Sequence, residues 1–191
     1  MSATANLKRC DWASGDPIYQ RYHDEEWGTP QHDDAALFEL LILEGMQAGL
    51  SWITILKKRE NFRKAFDHFD PRKISKYNQS KLSELMANDG IIRNRLKINS
   101  TVVNARAFQR IQSEYGSFDS YIWKFVGGSA KKNRWSSVKE IPARTMESDA
   151  MSRALSMKGF KFVGSTICYS FMQASGMVND HVTGCFRYRE L

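Results

Sequence analysis

Along the chain, apolar positions recur mostly at the period of a helix, and the punctuation between them is helical as well. Asp16-Pro17 reads as an N-cap followed by proline at the first helical position, predicting a short helix through about His23. Asp33 or Asp34 opens a second helix running to about Gly45, and Ser51 opens a third that reaches Phe66. Ser80 begins a fourth, with Leu82, Leu85 and Met86 on its apolar side, ending near Gly90. From Arg93 onward, Ile98, Val102, Ala105, Phe108 and Tyr115 follow the helical period until Gly116 stops it. Helices over 148–158 and 165–174, trailed by Gly159 and Gly176, complete the set. Alternating strand patterns are nearly absent, so the expected fold class is all-α. The stretch GGSAKKNRWSS (127–137) reads as an exposed loop, and both chain ends as irregular. A chain of 191 residues suits one domain over 1–191, with room for two closely packed helical lobes.

The second helix carries an anomaly. Leu37, Leu40, Leu41 and Glu44 share one face, and Phe38, Ile42 and Gly45 line the next, so Glu44 falls in apolar surroundings. A buried carboxylate is costly unless paired or hydrogen-bonded. Either it is structural, paired with an arginine or capping a helix end, or it is held for a ligand, where it would favour a cation. Just beyond lies a glycine-flanked turn with Gly49 and Leu50 at its tip and Trp52 at the head of the next helix. These are ordinary core residues, or else an apolar tip that wedges into a base stack with an aromatic behind it to receive the displaced base. Trp12, Tyr19, Tyr22 and Trp27 cluster early, and Tyr19, Tyr22 and His23 share a face. Rings around a carboxylate suit a flat cationic ligand, and rings alone suit a core equally well.

Charge adds a direction. The formal net charge is +7, from 28 basic and 21 acidic residues. Basic clusters fall at 57–64, 93–97, 131–134 and 158–161, while acids gather at 23–26 and at Asp33 and Asp34. This permits attraction to a polyanion and leans toward nucleic acid. No run of about 18 apolar residues exists, which argues against a membrane partner. The first residues lack an apolar signal stretch, so a cytoplasmic location is expected.

Three cysteines, at 10, 168 and 185, argue against a disulfide scaffold. Cys168 lies in an apolar helix and reads as a core residue; His32 and His68 read as surface. Cys10 and His23 near the start, with His181 and Cys185 near the end, form the usual donor set of tetrahedral zinc. The alternative is two free cysteines and two surface histidines. If zinc is bound, all four positions are protein ligands, so the ion is a staple rather than a catalyst.

Four segments, RCDWASGDPIYQRYHDEEWG (9–28), FELLILEGMQAGLSWITILKKRENFRKAF (38–66), DGIIRNRLKI (89–98) and KGFKFVGSTICYSFMQASGMVNDHVTGC (158–185), resemble the 3-methyladenine DNA glycosylases of the helix-hairpin-helix superfamily. The resemblance spans nearly the whole chain. It implies a helix-hairpin-helix glycosylase-like fold in which one structural zinc, on Cys10, His23, His181 and Cys185, joins the N- and C-terminal segments. It implies a monomeric enzyme that flips a base out of alkylated double-stranded DNA, hydrolyses its glycosidic bond and releases free 3-methyladenine. Glu44 would be the recognition carboxylate at the centre of the chemistry, with Trp12, Tyr19, Tyr22, Trp27 and Trp52 as pocket aromatics. Gly49 and Leu50 would form the intercalating loop, and a hairpin around 89–93, including Gly90 and Arg93, would meet the DNA backbone. Two departures from the wider superfamily stand out. Gly90 is the hairpin's only glycine, and residues 91–118 hold no aspartate, their one acid being Glu114. The competing readings are a non-catalytic module that binds damaged DNA and a structural helical protein with no nucleic-acid partner.

Overall fold

The computed structural model describes residues 7–191. Its longer helices are α1 (Pro17–Glu25), α2 (Asp34–Gln47), α3 (Trp52–Ala65), α4 (Pro71–Ile74), α5 (Gln79–Ala87), α6 (Arg95–Tyr115), α7 (Phe118–Trp123), α8 (Met146–Met157), α9 (Ser165–Ala174) and α10 (Phe186–Glu190). Helix α2 is buried on every side from Leu37 to Met46 and packs against α3, α6, α7 and α9. A helix apolar all round belongs at the centre of a core, and the others arrange themselves about it. None of the described helices is long and apolar enough to cross a membrane.

Local chemistry explains where the helices begin. Asp16 caps α1 by accepting from the Ile18 amide, with Pro17 at the first position. Asp33, not Asp34, caps α2. Asp34 instead reaches across to accept from the Phe118 and Asp119 amides, capping α7, and from the Gln112 side chain. Other expected boundaries move by one or two residues for similar reasons. Asn78 caps α5, so it starts ahead of Ser80, and Asn94 caps α6, so it starts after Arg93. Thr145 and Ser148 form a capping box that starts α8 at Met146 rather than at 148. Ser51 precedes α3 without a side-chain cap, since its hydroxyl pairs with that of Thr54 at 2.7 Å.

The stretch 127–137 is not a free loop. Lys131–Lys132 (β1) pairs in parallel with Val178–Asn179 (β2), and the Thr183 amide donates to the Trp135 carbonyl at 2.8 Å. Close by, the two ends of the described chain meet: the Phe186 amide donates to the Lys8 carbonyl at 2.9 Å. The end expected to be irregular therefore closes with a short helix, α10, laid over the start.

Gly176, just past α9, is fixed by space as well as by its φ of +69°. A Cβ there would stand 2.3 Å from the Thr29 carbonyl carbon. Gly127 has a similar φ of +75° with nothing within 4 Å. Gly127→Ala should therefore cost only the backbone strain, about 1 kcal/mol or a few degrees of Tm. Gly176→Ala should cost at least about 3 kcal/mol because Thr29 and Pro30 must move. Thermal unfolding of the two variants checks this, and equal losses would reject the steric argument.

Candidate functional site

A cavity of ≈ 330 Å³ opens between α1, α2, the head of α3, α9 and the segment 138–143. Trp12, Tyr19, Tyr22, Trp27 and Trp52 all line it, as does Glu44. The rings hold one another in place: Trp12 lies 4.9 Å from Tyr19 and 5.0 Å from Trp27, and Tyr22 lies 5.5 Å from Trp52, centroid to centroid. The Trp52 indole N–H is buried and has no partner among the described residues. A flat aromatic ligand has both stacking faces and an unspent donor available here.

Glu44 is only 3% exposed. It makes no hydrogen bond or ion pair among the described residues, so the partner required by a structural role is missing. The nearby arginines are committed elsewhere: Arg59 to Glu26 and Glu39 at 2.5 and 2.6 Å, Arg63 to Glu39 and Glu60 at 2.8 and 2.5 Å. Glu44 also sits one turn from the C-terminus of α2, the negative end of its dipole. Burial pushes its carboxyl up from an ordinary 4.5 to about 8. Burial first, and the Glu44 charge second, also raise Tyr19 and Tyr22.

Beside the cavity the chain makes a tight turn. The Leu50 amide donates to the Gln47 carbonyl at 2.6 Å, and the Gln47 side chain donates back to the Leu50 carbonyl at 3.0 Å. Gly49 takes a φ of +81°, and Leu50 stands 39% exposed at the tip. The buried Lys97 ammonium anchors this turn by donating to the Met46 and Ala48 carbonyls at 2.8 and 2.6 Å, and burial lowers its pKa. Lys58 does the reverse, donating from α3 to the Asp89 and Gly90 carbonyls of the α5–α6 hairpin at 3.1 and 3.2 Å. Turn and hairpin are thus cross-linked in both directions. In that hairpin the Gly90 amide is spent on the Asn88 side chain at 2.9 Å. Gly90 is therefore no free donor to a phosphate; it is small because a Cβ would crowd Asn88 and Asn61 at 3.0 and 3.1 Å. The amides of Ile91, Ile92 and Arg93 have no partner among the described residues, and the Arg93 side chain is exposed.

Cys10, His23, His181 and Cys185 come together, all buried, with their donor atoms within 4.8 Å of one another. Such a group could hold a metal ion. Each imidazole is oriented from behind: His23 Nδ1 meets Asp24 at 2.8 Å and His181 Nε2 meets the Trp27 carbonyl at 3.0 Å. The opposite nitrogens face Cys185 Sγ, at 3.4 and 3.6 Å. The Cys185 thiol is pushed well below its ordinary range, first by its bond with Cys10 and then by the two histidines, while Cys10 is driven up. Cys168 is a buried core residue; His32 and His68 are exposed, His32 paired with Asp119.

The sequence model described as methyladenine glycosylase matches residues 12–188. The chain belongs to that family. It is 50% identical over 182 residues to DNA-3-methyladenine glycosylase 1 of Escherichia coli K12, covering 95% of this chain and 97% of that one. A crystal structure of a 3-methyladenine DNA glycosylase I superposes with a TM-score of 0.92 at 52% identity, covering 94% of this chain and 98% of the other. A Staphylococcus aureus structure concerned with 3-methyladenine recognition gives 0.91 at 35% identity, covering 94% and 96%.

Of the residues singled out in this methyladenine glycosylase's sequence, the structure gathers six around the cavity, four in the cysteine–histidine cluster and the rest on the turn and hairpin beside them. Gln47, Val138, Ile141, Tyr169 and Gln173 line the cavity too and were not foreseen. For α9 a signal existed: Thr166, Tyr169, Ser170 and Gln173 form a polar stripe on an otherwise apolar helix. For 138–143 none did.

The Glu44 shift has a sign that can be checked. Between an unfolded value near 4.5 and a folded value of about 8, the folded protein holds a proton the unfolded chain has lost. Stability should therefore fall as pH rises through that window and level off above it, by several kcal/mol, about 3 once water in the cavity is allowed for. Glu44→Gln should flatten this segment of the urea-unfolding profile. Parallel profiles for wild type and variant would reject an unpaired carboxylate.

Proposed function

We propose that the chain is a DNA-repair N-glycosylase that frees 3-methyladenine from alkylated duplex DNA. The observation carrying this is an unpaired carboxylate buried among aromatic rings beside an exposed leucine tip. Adenine methylated at N3 is cationic while joined to deoxyribose, which makes it a good leaving group without protonation. The protein has to extrude the nucleotide, hold the cation and keep the ring flat. Leu50 fills the gap left in the stack, Tyr22 and Trp52 stack on the base, and Trp12 and Tyr19 shape its N3 side. Glu44 accepts from the exocyclic amine and balances the positive charge. The N9–C1′ bond then breaks with its electron pair passing to the base, water adds to C1′, and its proton leaves to solvent. The released base is neutral, so Glu44 loses its counter-ion with the product.

The α5–hairpin–α6 unit supports a helix-hairpin-helix reading, with the free amides of 91–93 and the Arg93 side chain set to meet a backbone phosphate. The four-residue cysteine–histidine cluster supports a structural zinc: two sulfurs and two nitrogens within 4.8 Å of one another, each imidazole held from behind. The ion would staple the first and last segments of a single glycosylase domain. It would leave no coordination position for substrate.

Duplex DNA treated with a methylating agent, incubated with the protein and resolved by chromatography, should yield free 3-methyladenine and leave 7-methylguanine in place. Retention of damaged DNA without base release would replace the enzyme by a damage-binding module. Glu44→Gln should lower excision at least about tenfold through loss of the charge, and unchanged excision would sink that role. Cys185→Ser should release about one zinc per chain and lower Tm by about 10 °C or more. Metal-free purified wild type with the same Tm as the variant would reject the staple.

A further inference from the structure

Asp180 is fully buried, at 0% exposed, immediately before His181. Four neutral donors converge on its carboxyl group. Asn133 Nδ2 and Trp135 Nε1 donate to Oδ1 at 2.6 and 2.8 Å. The Tyr169 hydroxyl and Gln173 Nε2 donate to Oδ2 at 2.7 and 2.8 Å. The indole can only donate to Oδ1, and the hydroxyl and the amide donate to Oδ2, the pattern of a carboxylate saturated by hydrogen bonds. Four convergent donors need a group that only accepts, which a carboxylate supplies and an amide does not.

Two of the donors belong to the cavity. Tyr169 and Gln173 lie one turn apart on α9 and line its wall. With its hydroxyl hydrogen committed, Tyr169 has only lone pairs to offer. With its amide nitrogen committed, Gln173 retains an Oε1 that has no partner among the described residues. The other two donors draw in the segment that continues into Val138 and Ile141, a further part of the same wall.

We propose that Asp180 is a positioning residue for charge selection: through Tyr169 and Gln173 it turns the α9 wall into an acceptor surface, adding negative potential to that of Glu44. This rests on the cavity being the base pocket. It makes selection for a cation two-sided, one charge contacting the base and one acting from behind a wall.

Asp180→Asn tests it, because the amide cannot satisfy the same four donors. Trp135 cannot accept, so the Asn oxygen stays with Trp135 and its NH₂ faces Tyr169 and Gln173. Both must then reverse, and Gln173 presents its NH₂ in place of an acceptor. Affinities would be measured by calorimetry on zinc-loaded protein for 3,9-dimethyladeninium, a permanent cation, and for the neutral base 3-methyladenine. Asp180→Asn should weaken the cation about tenfold or more while changing the neutral base by less than about twofold. Equal losses for both ligands, or no loss for either, would overturn the proposal. Should Asp180→Asn fail to fold, Gln173→Leu reads the same preference with Asp180 in place, and an unchanged cation preference there overturns it too. Wild type that binds the cation no better than the neutral base would instead overturn the pocket reading underneath.

Discussion

A carboxyl group without a counter-ion, set into a helix that is buried on every side, is the constraint around which the rest of this protein is arranged. Glu44 is 3% exposed on α2, and it has no ion-pair partner among the described residues. Arg59 and Arg63 are drawn to Glu39, whose carboxylate is shared between them. Lys97, buried near the end of the same helix, spends its ammonium on the carbonyls of Met46 and Ala48. The positive charge these side chains withhold is left for the ligand to supply. Leaving Glu44 uncompensated costs stability, and cost at a functional cavity is the expected sign of a site kept ready for a cation.

Holding that site open requires rigid walls drawn from distant parts of the chain. The α1 aromatics come from the start and α9 from the end. What keeps them together is the cysteine–histidine cluster with its backing bonds. His181 reaches the Trp27 carbonyl, and Trp27 is itself a wall of the cavity, so the cluster and the pocket share a boundary. On the other side, Lys58 and Lys97 bind hairpin to turn reciprocally. A phosphate seated on the hairpin amides would thereby fix the height at which Leu50 enters a duplex.

Much of this was legible in the residues, and the exceptions have physical causes. Helix periodicity located α2, α6 and α9 because their apolar faces are long. Glu44 was conspicuous because a charge interrupts an otherwise apolar helix, and the four metal-type ligands because cysteine and histidine are rare enough for their pairing to show. Boundaries slipped where two capping residues compete, as at Asp33 and Asp34, since either can cap a helix and only tertiary structure sends Asp34 to α7. Gly90 stands out in the hairpin because glycine marks a turn; packing against Asn61 and Asn88 accounts for it. The stretch 127–137 looked loose because β1 is two exposed lysines, and its partner strand lies more than forty positions away. The segment 138–143 carries no motif, since its task is to present apolar surface at one place, which many sequences can do.

The division of labour between Glu44 and the substrate follows from where charge moves. Before cleavage the positive charge is on the base, within reach of the carboxylate; as the N9–C1′ bond stretches it passes to the sugar. Held against the base as proposed, Glu44 would stabilise the bound cation at least as well as the transition state, so its loss would lower excision through binding rather than through the chemical step. Rate must then come from the lability that methylation gives the base and from the energy of forcing the nucleotide out of the stack. A pocket built this way has no need of a general acid, consistent with the lack of any acid but Glu44 among the residues lining the cavity. It would also carry its own limit: a neutral purine offers Glu44 no charge and keeps a strong glycosidic bond, so such a pocket would refuse it at binding and again at cleavage. On the proposed reading selectivity is electrostatic: burial raises the Glu44 carboxyl to about 8, and a cationic base would repay its ionisation where a neutral one would not.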